Sequence, residues 1–352
     1  MREYRDHYFP NTEELAPDEM RIVALGTGRP YLRKDQVNTG WLVELGNGDK
    51  FLIDFGFGTQ RNFVSLEIPY NAITAVIATH LHTDHVGDFM QIRQGGWAGG
   101  RMHPLQVYGP SGKIPEHGMK HFVKHQIESL RWDADTRHGL LPLVGSEVDV
   151  HEFPYDKVGV IYDKNGVKIT SFPAVHIYDG PVSLRLEWNG LTLVYSGDTT
   201  PSYFMVENGK GADILIHETF DRWQVMMERA GYDERTARGV CTVAHSDPEE
   251  AGRVLALCNP RLAVGYHFYN DDETLPGHLE AVRRSYEGPL VFARDLMVFN
   301  VTREQVKWRM AVTAGTTWPN KEFHDEGFKK LPRGEKLKMS QWLLDKVMFP
   351  KG

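Results

Sequence analysis

The stretch His80-Leu81-His82-Thr83-Asp84-His85-Val86-Gly87-Asp88, directly after the apolar run Ala75-Val76-Ile77-Ala78, decides how the rest of the chain is read. Its first six residues hold three imidazoles and a carboxylate, just beyond what reads as a buried strand. A loop leaving such a strand is where an α/β protein can aim several side chains at one point. Imidazole and carboxylate are the usual donors to zinc and related first-row ions where thiolate is absent, so this stretch is expected to bind metal.

Around it lies a chain of 352 residues, 41% hydrophobic and 25% charged, which is the composition of a globular protein able to bury a large core. A single domain is expected over residues 1–352, with its core at about 20–305, an N-terminal extension 1–19 and a C-terminal extension 306–352. The formal charge of −7 gives no bulk attraction for a polyanion. Cys241 and Cys258 lack Cys-x-x-Cys spacing, so no disulfide framework is expected. Charge in Met1–His7 replaces the apolar segment of a signal peptide, and no apolar run reaches membrane-spanning length. A cytoplasmic location without a membrane partner is the expectation.

The chain opens as a β-meander: 21–25, 41–45 and 50–54, with Gly46-Asn47-Gly48-Asp49 as a hairpin turn. Asp54 ends its strand and either caps the helix predicted over 59–65 or holds the histidine loop as a hydrogen-bond acceptor. A helix is expected over 88–97. On a later helix, His117, His121 and His125 share one face, which the interleaved Lys120 and Lys124 make a solvated one. Strand candidates follow at 148–153, 158–162, 167–172, 182–187 and 191–195. His176 lies after the third of these and Asp198 after the last. Two more strands run into His217-Glu218 and His267, while His245 precedes a helix with Asp247 as N-cap and Pro248 at its first position. Strands close the core at 290–293 and 296–301. An excursion over 313–336 and a short amphipathic helix over 339–347 complete the chain, and such a tail suits packing on a neighbouring subunit, so a homodimer or higher homo-oligomer is expected.

Five histidines (His80, His82, His85, His176, His267) and two aspartates (Asp84, Asp198) make seven donors, too many for one tetrahedral ion and suited to two that share a carboxylate. Such a pair can hold a bridging hydroxide, nucleophilic near neutral pH, so the implied reaction is hydrolysis.

These residues resemble the metal-ligand set of the metallo-β-lactamase superfamily. More narrowly, Leu25-Gly26-Thr27-Gly28, the run from Leu52 through Asp54 and Gly58 to Arg61, His217-Glu218-Thr219-Phe220 and His245-Ser246 resemble its RNase Z branch, over about residues 20–300. The chain is also similar to metagenomic β-lactamases on an RNase Z-like scaffold, through 44–51, 79–85 and 266–272. The resemblance implies a four-layer αββα sandwich and two Zn2+, with Mn2+ or Fe2+ as substitutes. His80, His82 and His176 would hold the first ion, Asp84, His85 and His267 the second, and Asp198 would bridge them. It also implies catalytic roles for Asp84, His245 and Glu218, the histidine giving a proton to the leaving oxygen and the glutamate orienting it.

Two departures bear on substrate. His176 and Asp198 are only 22 positions apart, which leaves no room for the tRNA-gripping arm that some RNase Z enzymes carry there, and the acidic charge also argues against tRNA. A bridging aspartate, conversely, is typical of phosphodiesterases and lactonases of this superfamily. The expected activity is therefore phosphodiester hydrolysis of RNase Z type, on RNA or a small molecule, with possible side activity on β-lactams. The alternatives are a small-molecule hydrolase (β-lactamase, lactonase, amidase or arylsulfatase-like) and a non-catalytic metal-binding module. Trp97, Tyr178, Phe220, Phe268 and Tyr269 are candidates either for a pocket wall or for the core.

Overall fold

A computed structural model describes residues 2–317 and 326–348. Of the expected C-terminal excursion, residues 318–325 lie outside the described residues. The first sheet takes strands β1 (His7–Tyr8), β2 (Met20–Gly26), β3 (Gly40–Leu45), β4 (Lys50–Phe55), β5 (Ala75–Ile77), β6 (Leu105–Pro110) and β7 (Val148–Phe153). The chain then crosses to a second sheet of β8 (Gly159–Lys164), β9 (Val167–Pro173), β10 (Val182–Trp188), β11 (Leu191–Tyr195), β12 (Ile214–Glu218), β13 (Leu262–Tyr266) and β14 (Leu290–Phe292). It returns to the first with β15 (Met297–Val301) and β16 (Val306–Ala311). The sheet orders are β1-β16-β15-β2-β3-β4-β5-β6-β7 and β14-β13-β12-β11-β10-β9-β8.

Strand periodicity explains the layers, because successive side chains point to opposite faces. Met20, Ile22 and Ala24 of β2 face the shared core between the sheets, where they meet Leu184 and Leu186 of β10 and Val264 of β13. Val23 and Leu25 point the other way, into a second core with Phe63, Phe89 and Val123 from the outer helices. On the far side of the second sheet, Val194 and Leu215 pack against Val254 and Leu255 of the helix Pro248–Cys258. The result is the αββα sandwich.

The edge of the first sheet is longer than the sequence suggested. β16 pairs antiparallel with β15, and β1 pairs parallel with β16, so parts of both extensions are sheet strands. Arg309 of β16 pairs with Glu13, and Arg2 with Glu19, fastening the N-terminal segment across that edge. The C-terminal segment folds back on the same chain: Gly139 and Leu143 donate backbone hydrogen bonds to the Arg333 and Pro332 carbonyls. The helix expected over 339–347 is a single turn, Gln341–Leu344, with exposed side chains. The helix expected over 88–97 is present as a continuous helical run over 89–98 whose middle, Gln91–Gly95, is a π turn leading into Gly96–Ala98. Among the described residues, no helix is long and apolar enough to cross a membrane, and both cysteines are buried free thiols.

Candidate metal centre

Strand direction brings the candidate residues together. β11, β12 and β13 are parallel, and β9 runs the same way because β10 is antiparallel to both of its neighbours. Their C-terminal ends, which lead to His176, Asp198, Glu218 and His267, therefore share one edge. β4 and β5, parallel in the facing sheet, deliver Asp54 and the His80–His85 loop to the same place.

All seven expected donors meet there, in two groups. His80 Nε2 lies 3.0 Å from His82 Nδ1, and His176 Nε2 lies 3.3 Å from that same atom. Asp198 Oδ2 is 3.7 Å from His80 Nε2 and 3.9 Å from His176 Nε2. Its other oxygen, Oδ1, is 3.3 Å from His85 Nε2 and 3.5 Å from His267 Nδ1. Asp84 Oδ2 completes the second group, 3.7 Å from His85 Nε2 and 3.3 Å from His267 Nε2.

Hydrogen bonds from behind fix which ring nitrogens face inward. The Ala244 carbonyl can only accept, so at 2.6 Å His176 Nδ1 must donate, leaving Nε2 as the free lone pair. His85 Nδ1 donates to Asp54 Oδ2 at 2.8 Å with the same consequence. Asp54 also accepts from the Thr79 backbone N–H at 2.8 Å and from the Tyr195 hydroxyl at 2.7 Å. The carboxylate therefore holds the histidine loop, while the helix Thr59–Ser65 has no side-chain cap. Asp54 and His267 both adopt left-handed backbone (φ 53° and 69°), conformations that Asp and His tolerate better than most residues. A Cβ at Gly56 would stand 1.9 Å from the Asp84 carbonyl oxygen, so glycine lets the donor loop lie against β4.

The chemistry of the set fits cations. Burial lowers His80 well below the usual imidazole range and also lowers His82 and His176, which keeps them neutral and able to ligate. Burial opposes charge at His267 as well, but the Asp198 carboxylate leads the interactions that overcome it and raise that histidine to about 9. The second group thus draws positive charge. His85 Nε2, Asp198 Oδ1 and His267 Nδ1 are buried with no hydrogen-bond partner of adequate geometry, orphans that metal bonds would satisfy.

Beside this centre His245 Nδ1 donates to Glu218 Oε2 at 3.0 Å, and the His245 ring stacks on Phe220 at 4.1 Å and 12°. Glu218 is itself held by the Thr199 backbone N–H. A π turn, Gly239–Ala244, carries the chain into both the Ala244 carbonyl and His245.

Two depressions open from the centre. One, of about 520 Å³, contains His245, Asp198 and Asp84 and is walled by Phe220, Met226, Tyr232 and Arg29. The buried Arg29 guanidinium is paired with Asp221 at 2.8 Å and lies 3.9 Å over the Tyr269 ring. The other, of about 540 Å³, runs from His80, His82 and His176 to His117, His121 and His125. Among the described residues those last three do not gather into a three-donor metal cluster. His117 belongs to a separate short turn, Pro115–His117, so only His121 and His125 share the helix Met119–Ser129. His117 and His125 are exposed, as expected of a solvated face, and the three together also form one wall of a groove. Tyr178 stands on its opposite wall, whereas Trp97 and Phe268 are fully buried, Trp97 donating to the Pro142 carbonyl and Phe268 stacked on His278. Sequence reasoning missed Tyr195, Thr79 and Arg29. Only Arg29, inside the Gly-rich turn after β2, carried any signal.

An αββα sandwich with two histidine-carboxylate donor groups at one sheet edge defines a class of metal-dependent hydrolases. The metallo-beta-lactamase superfamily profile matches residues 32–257, and the chain belongs to that superfamily, on its RNase Z-like branch. It is a hydrolase. Ribonuclease Z of Mycobacterium marinum is 28% identical over 255 residues, covering 71% of this chain and 86% of that protein. By structure, the metallo-beta-lactamase fold protein YhfI from Bacillus subtilis superposes with a TM-score of 0.60 at 18% identity, covering 81% of this chain and 100% of that one. Human tRNase Z, short form, gives 0.58 at 19% identity, covering 79% and 98%.

Proposed function

We propose that this chain is a dinuclear zinc phosphodiesterase of RNase Z type. The observation that carries the proposal is Asp198, whose two oxygens face separate donor groups, with the His245–Glu218 pair alongside. His80, His82 and His176 would hold one ion, Asp84, His85 and His267 the other, and Asp198 both. Bound there, the ions would supply Lewis acidity and a water made nucleophilic near neutral pH. Asp84 would act as a ligand of the second ion, its Oδ2 standing 3.3 Å from His267 Nε2 and 3.7 Å from His85 Nε2. Glu218 holds Nδ1–H of His245, leaving Nε2 to deliver a proton to the departing oxygen. RNA is a candidate substrate on the strength of the ribonuclease Z relatives.

A second reading, hydrolysis of a small lactam, lactone, amide or sulfate ester, is favoured by the short β10–β11 hairpin that fills the interval between His176 and Asp198. Two measurements decide. Metal analysis should find about two zinc ions per chain, and a single ion would sink the two-metal mechanism. Turnover of pre-tRNA, bis-p-nitrophenyl phosphate, a β-lactam, a lactone and an aryl sulfate should favour the phosphodiesters; preference for any of the last three supports the second reading.

A further inference from the structure

The two depressions meet at His82 and His176, but only one of them contains His245. This asymmetry orients a substrate with two ester arms. The proton donor must stand beside the departing oxygen, so the leaving arm lies in the pocket of Phe220 and Tyr232. The arm that stays on phosphorus then extends the other way, along the groove beside the helix Met119–Ser129.

The chemistry of that groove says what the retained arm is. His121 and His125 lie together with ring centroids 4.2 Å apart, and His117 stands edge-on to Tyr178 at 5.8 Å. Phe122 and Ile177 add apolar surface. Among the described residues lining the groove there is no Lys or Arg, while Glu116 and Asp179 are present. Nearby Lys113 is bound to Asp179 at 2.6 Å. Planar rings with hydrogen-bonding edges suit one heteroaromatic ring, and with Lys113 engaged by Asp179 and the Tyr178 ring, the lining itself offers no lysine or arginine to hold a polyphosphate strand.

We infer that the groove is a subsite for the retained arm of the phosphodiester and takes a single nucleoside-sized group, not a polynucleotide. This rests on the phosphodiesterase reading above. In the step itself, water oxygen bonds to phosphorus and the bond to the leaving oxygen breaks. His245 protonates that oxygen and regains its proton from the water. The products are an alcohol and a phosphomonoester of the retained nucleoside.

The test holds p-nitrophenolate constant as leaving group and varies the retained arm from methyl to thymidine to trithymidylate. kcat/KM should rise about 10-fold from methyl to thymidine, as one base-aromatic stack predicts, and less than about 3-fold thereafter. His121→Ala and Tyr178→Ala should each lower the thymidine ester several-fold more than the methyl ester. They should also weaken equilibrium binding of thymidine 5′-monophosphate, read by calorimetry on the zinc-loaded protein, with the melting temperature confirming the fold. Continued gains with each added nucleotide, and a steep fall of kcat/KM with salt, would overturn the single-nucleoside subsite in favour of a strand. Equal losses on methyl and thymidine esters would overturn the subsite altogether. If no ester is turned over, the phosphodiesterase reading fails, and thymidine monophosphate binding still decides the groove: sensitivity to Tyr178→Ala supports it and indifference refutes it.

Discussion

Asp54→Asn tests whether the metal centre depends on an acceptor that touches no substrate. Asp54 is fully buried and its carboxylate receives donors from three residues, Thr79, His85 and Tyr195. Asparagine keeps the shape but turns one acceptor oxygen into a donor. If its oxygen stays on the Thr79 N–H, its NH2 confronts His85 Nδ1–H and the Tyr195 hydroxyl. Tyr195 can rotate, since the Tyr266 hydroxyl 3.0 Å away is an alternative partner. His85 cannot. It either keeps a buried donor opposed, at about 1–3 kcal/mol, or moves its proton to Nε2, the atom 3.3 Å from Asp198. The second outcome removes the lone pair needed for ligation. Loss of such a supporting hydrogen bond typically costs about 10–100-fold in metal affinity, or about 1.4–2.8 kcal/mol. Zinc release to a competing chelator should therefore show one of the two sites weakened by that factor and the other much less. Nitrogen-15 spectra of the His85 ring would report the tautomer. If Asp54→Asn holds both ions within about twofold of the native affinities, the carboxylate does not orient His85 and the argument fails.

Two further perturbations separate proton delivery from positioning and stability from function. His245→Ala should slow phosphodiesters with an alkoxide leaving group by about 10²–10⁴-fold but p-nitrophenyl esters far less, because p-nitrophenolate departs without a proton; equal losses would rule out the proton-donor role. His278, buried against Phe268 and beside Arg222, is lowered to about 3 by burial first and the guanidinium second. A histidine held neutral contributes stability above its unfolded value near 6.5 and loses it as pH falls toward 3, up to about 5 kcal/mol in all. Urea unfolding should show His278→Phe gaining on the native protein across that window, and a constant difference between them would refute the assignment.

How much was legible follows from which signals are local. Apolar runs ending in His, Asp or Glu mark strands delivering donors, and they placed β5, β9, β11, β12 and β13 to within a few residues. The pairing of β1 with β16 was not legible, because a two-residue strand carries no periodicity and its partner lies some 300 positions away. The π turns at Gln91–Gly95 and Gly239–Ala244 were not legible either, since a single wider turn leaves no periodicity of its own in five or six residues. Tyr195 read as the end of a strand, since its contact with Asp54 exists only once one sheet lies on the other. The solvated face was read correctly from Lys120 and Lys124, but that it also bounds a groove was not legible, because the other boundary, Ile177 and Tyr178, comes from the loop after β9.

The order of the second sheet explains why a carboxylate stands between the two donor groups. β11 lies between β9 and β13, with β10 on one side of it and β12 on the other, so the loop after β11 emerges between the loops that carry His176 and His267. A residue there must face both neighbours at once. An imidazole offers two nitrogens pointing apart from a rigid ring, and one of them usually needs a proton; a carboxylate offers two acceptors on one carbon. Asp198 uses one oxygen toward each group, at 3.7 and 3.9 Å on one side and 3.3 and 3.5 Å on the other. Topology therefore selects the residue type at this position before substrate does. Substrate choice is left to the surfaces that begin where the donors end, the Phe220 pocket on one side and the histidine groove on the other.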